Sequence, residues 1–273
     1  MELRGSRWFG AALASTWLVC LYLVLPLMMV IPVSLTDRRF ISMPQDGLSL
    51  RHYAALLNNP LWMSSIGQSL FVAMSATILA VFLGTLASIG CWRIASKRSE
   101  MVRAVLLLPL FIPSIIHALG MYRMWIDVGI IDTFQGVILA DVITAIPYVV
   151  ITVSASLANF DVRLEQAARN LGATTGQTIR WVILPNIWPG VISGALFAFV
   201  HSWDEIVVLL FIAGRRVKLL PRAIWDGIND QVDPSIAAIA TLLIALTLLL
   251  LIADRIVRQR QSQLATKPAR PAA

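Results

Sequence analysis

Ionisable and hydroxyl side chains set inside long apolar stretches are where this chain has chemistry to offer. Asp141, Thr144 and Tyr148 stand at i, i+3 and i+7 and so share one face of a helix. A carboxylate inside such a run costs on the order of 3 kcal/mol on insertion scales, so Asp141 faces either a wet cavity or a polar partner on a neighbouring helix. Asp204 and Glu205 are adjacent, and on a continuous helix they point about 100° apart, so at most one looks straight into a pathway. His201, at i−3 and i−4 from them, offers a hydrogen-bonded clamp as the alternative, and Trp203 offers either a cation–π face or an apolar plate against lipid. Ser114 and His117 share a face just after Pro109 and Pro113. This is the chemistry of recognition. His52, His117 and His201 have neither a nucleophilic triad nor a metal-ligand spacing around them, so no reaction on a bound solute is expected. The stretch from Gly172 to Thr178 has three residues between its glycines and Gln177 where a phosphate-binding loop needs lysine. Lys97, Lys218 and Lys267 all lie elsewhere, so the chain is expected to hydrolyse no ATP of its own and to carry no cofactor. Cys20 and Cys91 lack the spacing of a redox or metal pair and read as packing residues.

The elements that must position these groups follow from composition. The 273 residues are 58% hydrophobic and only 14% charged, with a mean hydropathy of +0.77, far from a soluble domain. Runs of about 20 apolar residues are what a hydrocarbon core of roughly 30 Å demands of a helix, and lipid leaves backbone groups no other partner. Spans are expected near 11–33, 64–91, 104–122, 134–157, 187–212 and 235–253, which makes an all-α, polytopic membrane protein with six transmembrane helices in one domain, 1–273. The first run follows Arg4 and Arg7 and is too long for a cleaved signal, so it reads as an uncleaved span.

Basic residues set the orientation. Arg4, Arg7, Arg93, Lys97, Arg98, Arg103, Arg163, Arg169, Arg180, Arg255, Arg258, Arg260, Lys267 and Arg270, fourteen of the 22, fall in segments 1–10, 92–103, 158–185 and 254–273, which puts both termini in the cytosol. One external loop dissents with Arg215, Arg216, Lys218 and Arg222, partly offset by Asp226, Asp230 and Asp233. Without a basic patch interleaved with aromatics outside these flanks, nucleic-acid binding is not expected. The first external segment, 34–63, reads as an irregular loop with a short helix around Leu50–Leu57. Pro109 and Pro113 break the third span, either as a packing kink or as pathway lining.

Between spans four and five, residues 158–185 are too polar to cross a bilayer. Asn159 or Asp161 caps a helix over DVRLEQAARN that stops at Gly172, and Thr174 with Gln177 forms a capping box that starts a second helix, expected to run through Ile183 and end at Pro185. Ala167, Ala168 and Leu171 make a small-residue patch on the first helix. A loop between two spans needs no such construction merely to connect them.

This segment resembles the coupling loop of bacterial ABC importer permeases, with its pattern of Glu-Ala-Ala, three residues, Gly, nine residues, Ile, any residue, Leu-Pro. The register here is Gln166-Ala167-Ala168, Gly172, and then Val182-Ile183-Leu184-Pro185; Gln166 replaces the glutamate, with Glu165 just before it, and Val182 replaces isoleucine. Span five and its sequel, GALFAFVHSWDEIVVLLFIAG and LLPRAIWDGINDQVDPSIAAIAT, look like permeases of the spermidine/putrescine subfamily, where a pair of acidic residues occupies the place of Asp204-Glu205. That subfamily can carry an acid where this chain has Ser114, a departure that would suit a less charged solute.

The resemblance implies a type I importer permease of the cytoplasmic (inner) membrane. It implies a cytosolic ATPase dimer docked on Glu165, Gln166, Ala167, Ala168, Leu171, Gly172, Ala173, Leu184 and Pro185, a second, paralogous permease, and an external solute-binding protein. The solute implied is a polyamine or a related small amine- or amino-acid-derived compound, met along a pathway that includes Asp204, Glu205, Trp203, Asp141, Tyr148, Ser114 and His117. An ion-driven secondary transporter using Asp141 and Asp204 is the rival reading, although the chain shows no inverted repeat. A membrane scaffold that recruits a cytosolic protein through 164–185 is another.

Overall fold

The computed structural model describes residues 7–45, 47–230 and 234–265, and among these every regular element is helical. Four charged residues weighed for orientation, Arg4, Asp233, Lys267 and Arg270, lie outside the described residues. In chain order the helices are α1 (Arg7–Ser34), α2 (Arg51–Asn58), α3 (Pro60–Ile94), α4 (Lys97–Leu107), α5 (Ser114–Val128), α6 (Phe134–Ala158), α7 (Val162–Asn170), α8 (Thr175–Thr178), α9 (Leu184–Asp204), α10 (Val207–Ile212), α11 (Leu220–Asp230) and α12 (Ser235–Ala265).

All six expected spans fall on helices, but they are not six equal rods. Gly10–Ser34, Pro60–Ile94, Phe134–Ala158 and Thr175–Asp204 are long and apolar enough to cross a membrane. The third expected span is a bent pair, Lys97–Leu110 and Ser114–Val128, meeting at 102°. Pro113 sits at the corner in an extended conformation, and a proline there both lacks an N–H and forces the residue before it out of the helical region. The sixth falls on the shorter apolar start of α12, Ser235–Leu249.

Two other expectations are corrected. Pro185 does not end the second helix of the polar segment, because Thr175–Asp204 runs on as one span. A wide π turn over Ile179–Ile183 precedes the proline, and the Asn186 side-chain amide donates to the Val182 carbonyl at 2.7 Å, so the proline is absorbed without a stop. The expected continuous helix over 187–212 is instead interrupted at Glu205, which is extended (φ −70°, ψ 109°). Its carboxylate accepts the Val208 N–H at 3.0 Å in the first turn of α10, so a side chain takes over where the helix ladder stops.

The chain divides into two compact units. In one, Met1–Met63 with Ile224–Leu249, α1 carries apolar residues all round, as a lipid-facing helix does. The loop after it is built rather than loose: Ser34 Oγ bonds the Tyr53 hydroxyl (2.7 Å), the Ser49 N–H donates to Leu35 O (2.8 Å), and the Arg51 guanidinium donates to Asp37 O (2.8 Å). The expected short helix near 50–57 is α2, anchored by buried Leu56.

The other unit, Ser64–Ala223 with Leu250–Ala273, is organised on α6. One end of α6 joins a core with Val72, Met121, Trp125, Val137, Leu209 and Ile212; the other joins one with Ala80, Val149, Val153, Leu157, Ile183 and Ile187. Helix α9 packs along α6 through Gly190 and Gly194, a small-residue pair four apart that lets membrane helices approach closely. A Cβ at Gly190 would lie 2.7 Å from the Thr152 carbonyl and would collide with Ser156 Oγ, and one at Gly194 would lie 3.0 Å from Val149 Cα.

Candidate functional site

The polar segment folds as its local signals require. Asp161 accepts the Arg163 N–H (2.9 Å) at the start of α7, and Gly172 adopts φ +85°, which a side chain would resist. The Thr174 N–H donates to Gln177 Oε1 (2.8 Å) and the Gln177 N–H to Thr174 Oγ1 (3.4 Å), a reciprocal cap on α8. Of the expected docking residues, Gln166, Ala167 and Gly172 are exposed, Leu171 is 89% exposed, Pro185 is exposed, and Ala168, Ala173 and Leu184 are half-buried. Glu165 is the exception: it is 9% exposed, turned inward, and paired with Arg93 Nη2 at the end of α3 at 3.1 Å. Trp92 packs edge-on against Phe160 beside it, ring centroids 5.6 Å apart, so the start of this segment is fastened to α3 by an ion pair and an aromatic contact.

The expected pathway residues divide. Asp204 is exposed at the end of α9; Glu205 is half-buried and spends one oxygen on the Val208 N–H. His201 Nε2 is buried with no hydrogen-bond partner, so this nitrogen clamps neither acid; its ring lies against Tyr148, centroids 5.0 Å apart. Trp203 has one face on Phe199, stacked at 5.6 Å. Asp141 is 1% exposed and accepts a hydrogen bond from Ser202 Oγ, which ties α6 to α9, while its Oδ1 has no partner. Ser114 is exposed at the corner of the bent pair and His117 half-buried one turn on. Helices α6 and α9 therefore bring Asp141, Tyr148, His201 and Ser202 together, with the carboxylates of Asp204 and Glu205 just beyond; Ser114 and His117 form a separate station on α5.

Three partners escaped the sequence reading: Arg93, Ser202 and Asp132. Asp132 lies in the turn between α5 and α6 at φ +54°, and its own N–H donates to Ile212 O (2.9 Å). Its carboxylate accepts four successive backbone N–H groups, Gly214 (2.7 Å), Arg215 (3.0 Å), Arg216 (3.0 Å) and Val217 (3.2 Å). Burial pushes the Asp132 carboxyl up, but the four N–H groups outweigh it and hold it below its ordinary value of 3.8. These links join residues 61 to 85 positions apart, beyond the reach of any local spacing rule.

Long apolar helices, a capped helix–elbow–helix on a polar excursion and buried polar groups between two spans are the features of a membrane transport subunit. The chain belongs to the family described as binding-protein-dependent transport system inner membrane component, which matches residues 80–263. It is the membrane permease subunit of an ABC importer and a multi-pass protein of the inner membrane. It is 30% identical over 249 residues to the spermidine/putrescine transport system permease protein PotC of Haemophilus influenzae, a match that covers 91% of this chain and 96% of that one. It is also 30% identical over 234 residues to the putrescine transport system permease protein PotI of Escherichia coli, covering 82% of each. Its fold matches a subunit in the crystal structure of a bacterial ABC transporter involved in the import of the acidic polysaccharide alginate, with a TM-score of 0.69 at 15% identity, over 95% of this chain and 98% of that chain.

Proposed function

We propose that this permease forms one half of a solute pathway with a second, paralogous permease and takes its solute from an external binding protein. It docks a cytosolic ATPase dimer through Gln166, Ala167, Ala168, Leu171, Gly172 and Ala173, with Leu184 and Pro185 closing the segment and both chain termini in the cytosol. The solute is a polyamine or a related small amine- or amino-acid-derived compound. The observation that carries this reading is the segment α7, Gly172 and α8, which is capped at both starts and holds an apolar side chain, Leu171, 89% exposed to whatever covers it.

The solute class is supported by the names of the two relatives and by the exposed carboxylate of Asp204. Because Glu205 already serves the α10 backbone, Asp204 is the freer acid to meet an ammonium group. Tyr148 and Trp203 offer apolar faces to a methylene chain, Asp141 holds α6 and α9 in register beside them, and Ser114 and His117 add polar contacts from the bent pair.

The test is reconstitution of the chain with its partner permease and ATPase in liposomes, with the external binding protein added on the solute side and ATP-driven uptake of labelled putrescine and spermidine as the readout. Gly172→Asp is expected to abolish uptake while the protein remains in the membrane. Asp204→Asn is expected to raise the half-saturating concentration about tenfold or more, the worth of a hydrogen bond to a charged group. Uptake driven by an ion gradient without ATP would overturn the importer reading, and unchanged uptake of both amines in Asp204→Asn combined with Glu205→Gln would overturn the cationic solute.

A further inference from the structure

The end of α3 and the start of α4 enclose a groove of about 840 Å³ that neither the polar segment nor the pathway residues use. Ala87, Gly90, Cys91 and Ile94 of α3 and Val102 of α4 wall it, and Lys97 and Arg98 stand at its rim. Positions 87, 90, 91 and 94 share one helix face. One turn earlier the same face carries Leu83 and Leu86, both exposed, as a lipid-facing surface is. The groove therefore continues into apolar surface in one direction and meets two cations in the other.

These cations are unpaired and fixed in place. The acids around them are engaged elsewhere, Glu100 lying 4.0 Å from Arg103 and Glu165 lying 3.1 Å from Arg93. Lys97 and Arg98 are exposed and form no ion pair among the described residues. Ala95 turns the chain at φ +44°, and Ser96 and Ser99 cap α4 reciprocally, with N–H to Oγ distances of 2.9 and 3.3 Å. Gly90 points the same way from the apolar side. A Cβ there would find open space, with no neighbour within 4 Å, and the residue is not left-handed. Neither packing within the chain nor backbone conformation asks for this glycine, although glycine weakens a helix. The room it leaves is room for something outside the chain.

An occupant must be apolar along α3 and anionic where α3 gives way to the polar turn. A soluble protein can meet the cations but cannot follow a face that continues into hydrocarbon, and a free anion leaves the apolar wall bare. A phospholipid of net negative charge satisfies both ends, as basic pockets between membrane helices do for anionic headgroups. We propose that this groove is a binding site for an anionic phospholipid, with its phosphate at Lys97 and Arg98 and an acyl chain laid along Ala87, Gly90 and Ile94. The site requires only that α3 cross the bilayer, whatever solute the pathway carries.

The complete transporter in detergent is titrated with phosphatidylglycerol and, separately, with phosphatidylethanolamine, and the lipid it retains is counted by native mass spectrometry. Lys97→Gln with Arg98→Gln removes the charge, and Gly90→Leu fills the groove from a position where the added Cβ meets nothing. One phosphatidylglycerol per copy of this chain is expected to be held about tenfold more tightly in the wild type than in either variant, with phosphatidylethanolamine held weakly by all three. Added phosphatidylglycerol is expected to raise the unfolding temperature of the wild type more than that of either variant. Equal retention in the three proteins would overturn the proposal. Displacement of the lipid by an equal concentration of inorganic phosphate would also overturn it, by making the groove a site for a free anion. Retention that appears only after the ATPase is stripped away would do the same, by assigning this face to a protein contact.

Discussion

Glu165→Ala asks most directly whether the polar segment is mechanically tied to the spans. The Glu165–Arg93 pair is 3.1 Å long, with side chains 12% and 20% exposed, so removing the acid strands a guanidinium that water reaches only in part. Arg93 Nη1 is already buried without a hydrogen-bond partner, which leaves the cation little alternative. Breaking a buried pair costs about 3–5 kcal/mol; the partial exposure here trims that to roughly 2–3 kcal/mol. If that energy holds α7 against the end of α3, its loss frees α7 locally by roughly thirtyfold or more while the α6–α9 core stays folded. The assay is the ratio of solute moved to ATP hydrolysed in liposomes. Hydrolysis is expected to persist and uptake to fall about tenfold or more. Glu165→Gln, which keeps an acceptor, is expected to lose less. The exchange Arg93→Glu with Glu165→Arg is expected to recover part of the coupling that either single change removes. Normal coupling in Glu165→Ala, or an exchange no better than the singles, would refute the mechanical role and return Glu165 to the docking surface.

Two further outcomes follow from the packing. Asp132→Asn keeps an acceptor but sets an amide donor against the four backbone N–H groups that Asp132 latches; with two of the four donors exposed and discounted, the latch should lose about 2 kcal/mol, read as faster amide hydrogen exchange at 214–217. Because the folded carboxyl is held below its ordinary value of 3.8, the latch is complete above that value and weakens as pH falls through the lower, folded one, so the protection of these amides relative to their intrinsic exchange rates should fall in the wild type only below 3.8. Gly190→Ala drives a methyl toward the Thr152 carbonyl and Ser156 Oγ, and should cost about 1–3 kcal/mol in thermal unfolding in detergent. Adding Ser156→Gly removes only one of the two obstacles and should recover part of that, and full stability in Gly190→Ala would mean that α6 and α9 do not pack as described.

What the sequence made legible was local. The Asp161 cap, the Gly172 elbow and the Thr174–Gln177 box need only residues within a few positions of one another, and each forms as its spacing requires. The apolar runs likewise announce the long spans, because lipid admits few alternatives. Expectations failed where a backbone rule met a local remedy. Pro185 should stop a helix, but a π turn and the Asn186 amide absorb it, while Asp204 and Glu205 should share a helix, but the Glu205 side chain serves the next one instead. Glu165 looked available to a partner because its pairing with Arg93 depends on how α7 folds back, which no periodicity reports. The link between Asp141 and Ser202 was anticipated only as one of two readings, without its partner.

The uninterrupted course through Pro185 changes what the segment can transmit. Had the helix ended there, a push at the Gly172 elbow would reach the spans only through a flexible joint. Thr175–Asp204 is instead a single 30-residue helix, about 45 Å by helix rise, with the Gly172 elbow at one end and the candidate solute carboxylate at the other. Gly190 and Gly194 lock the middle of this rod against α6, and the Asp141–Ser202 bond locks it again near Asp204. A displacement delivered at the elbow therefore moves α6 and α9 as one body, and the compliance lies at the breaks beyond it: Glu205 before α10 and the 102° corner before α5. Those breaks stand beside Asp204 in one case and Ser114 in the other, so in the proposed mechanism ATP-driven motion is converted into a change of shape where the solute is held.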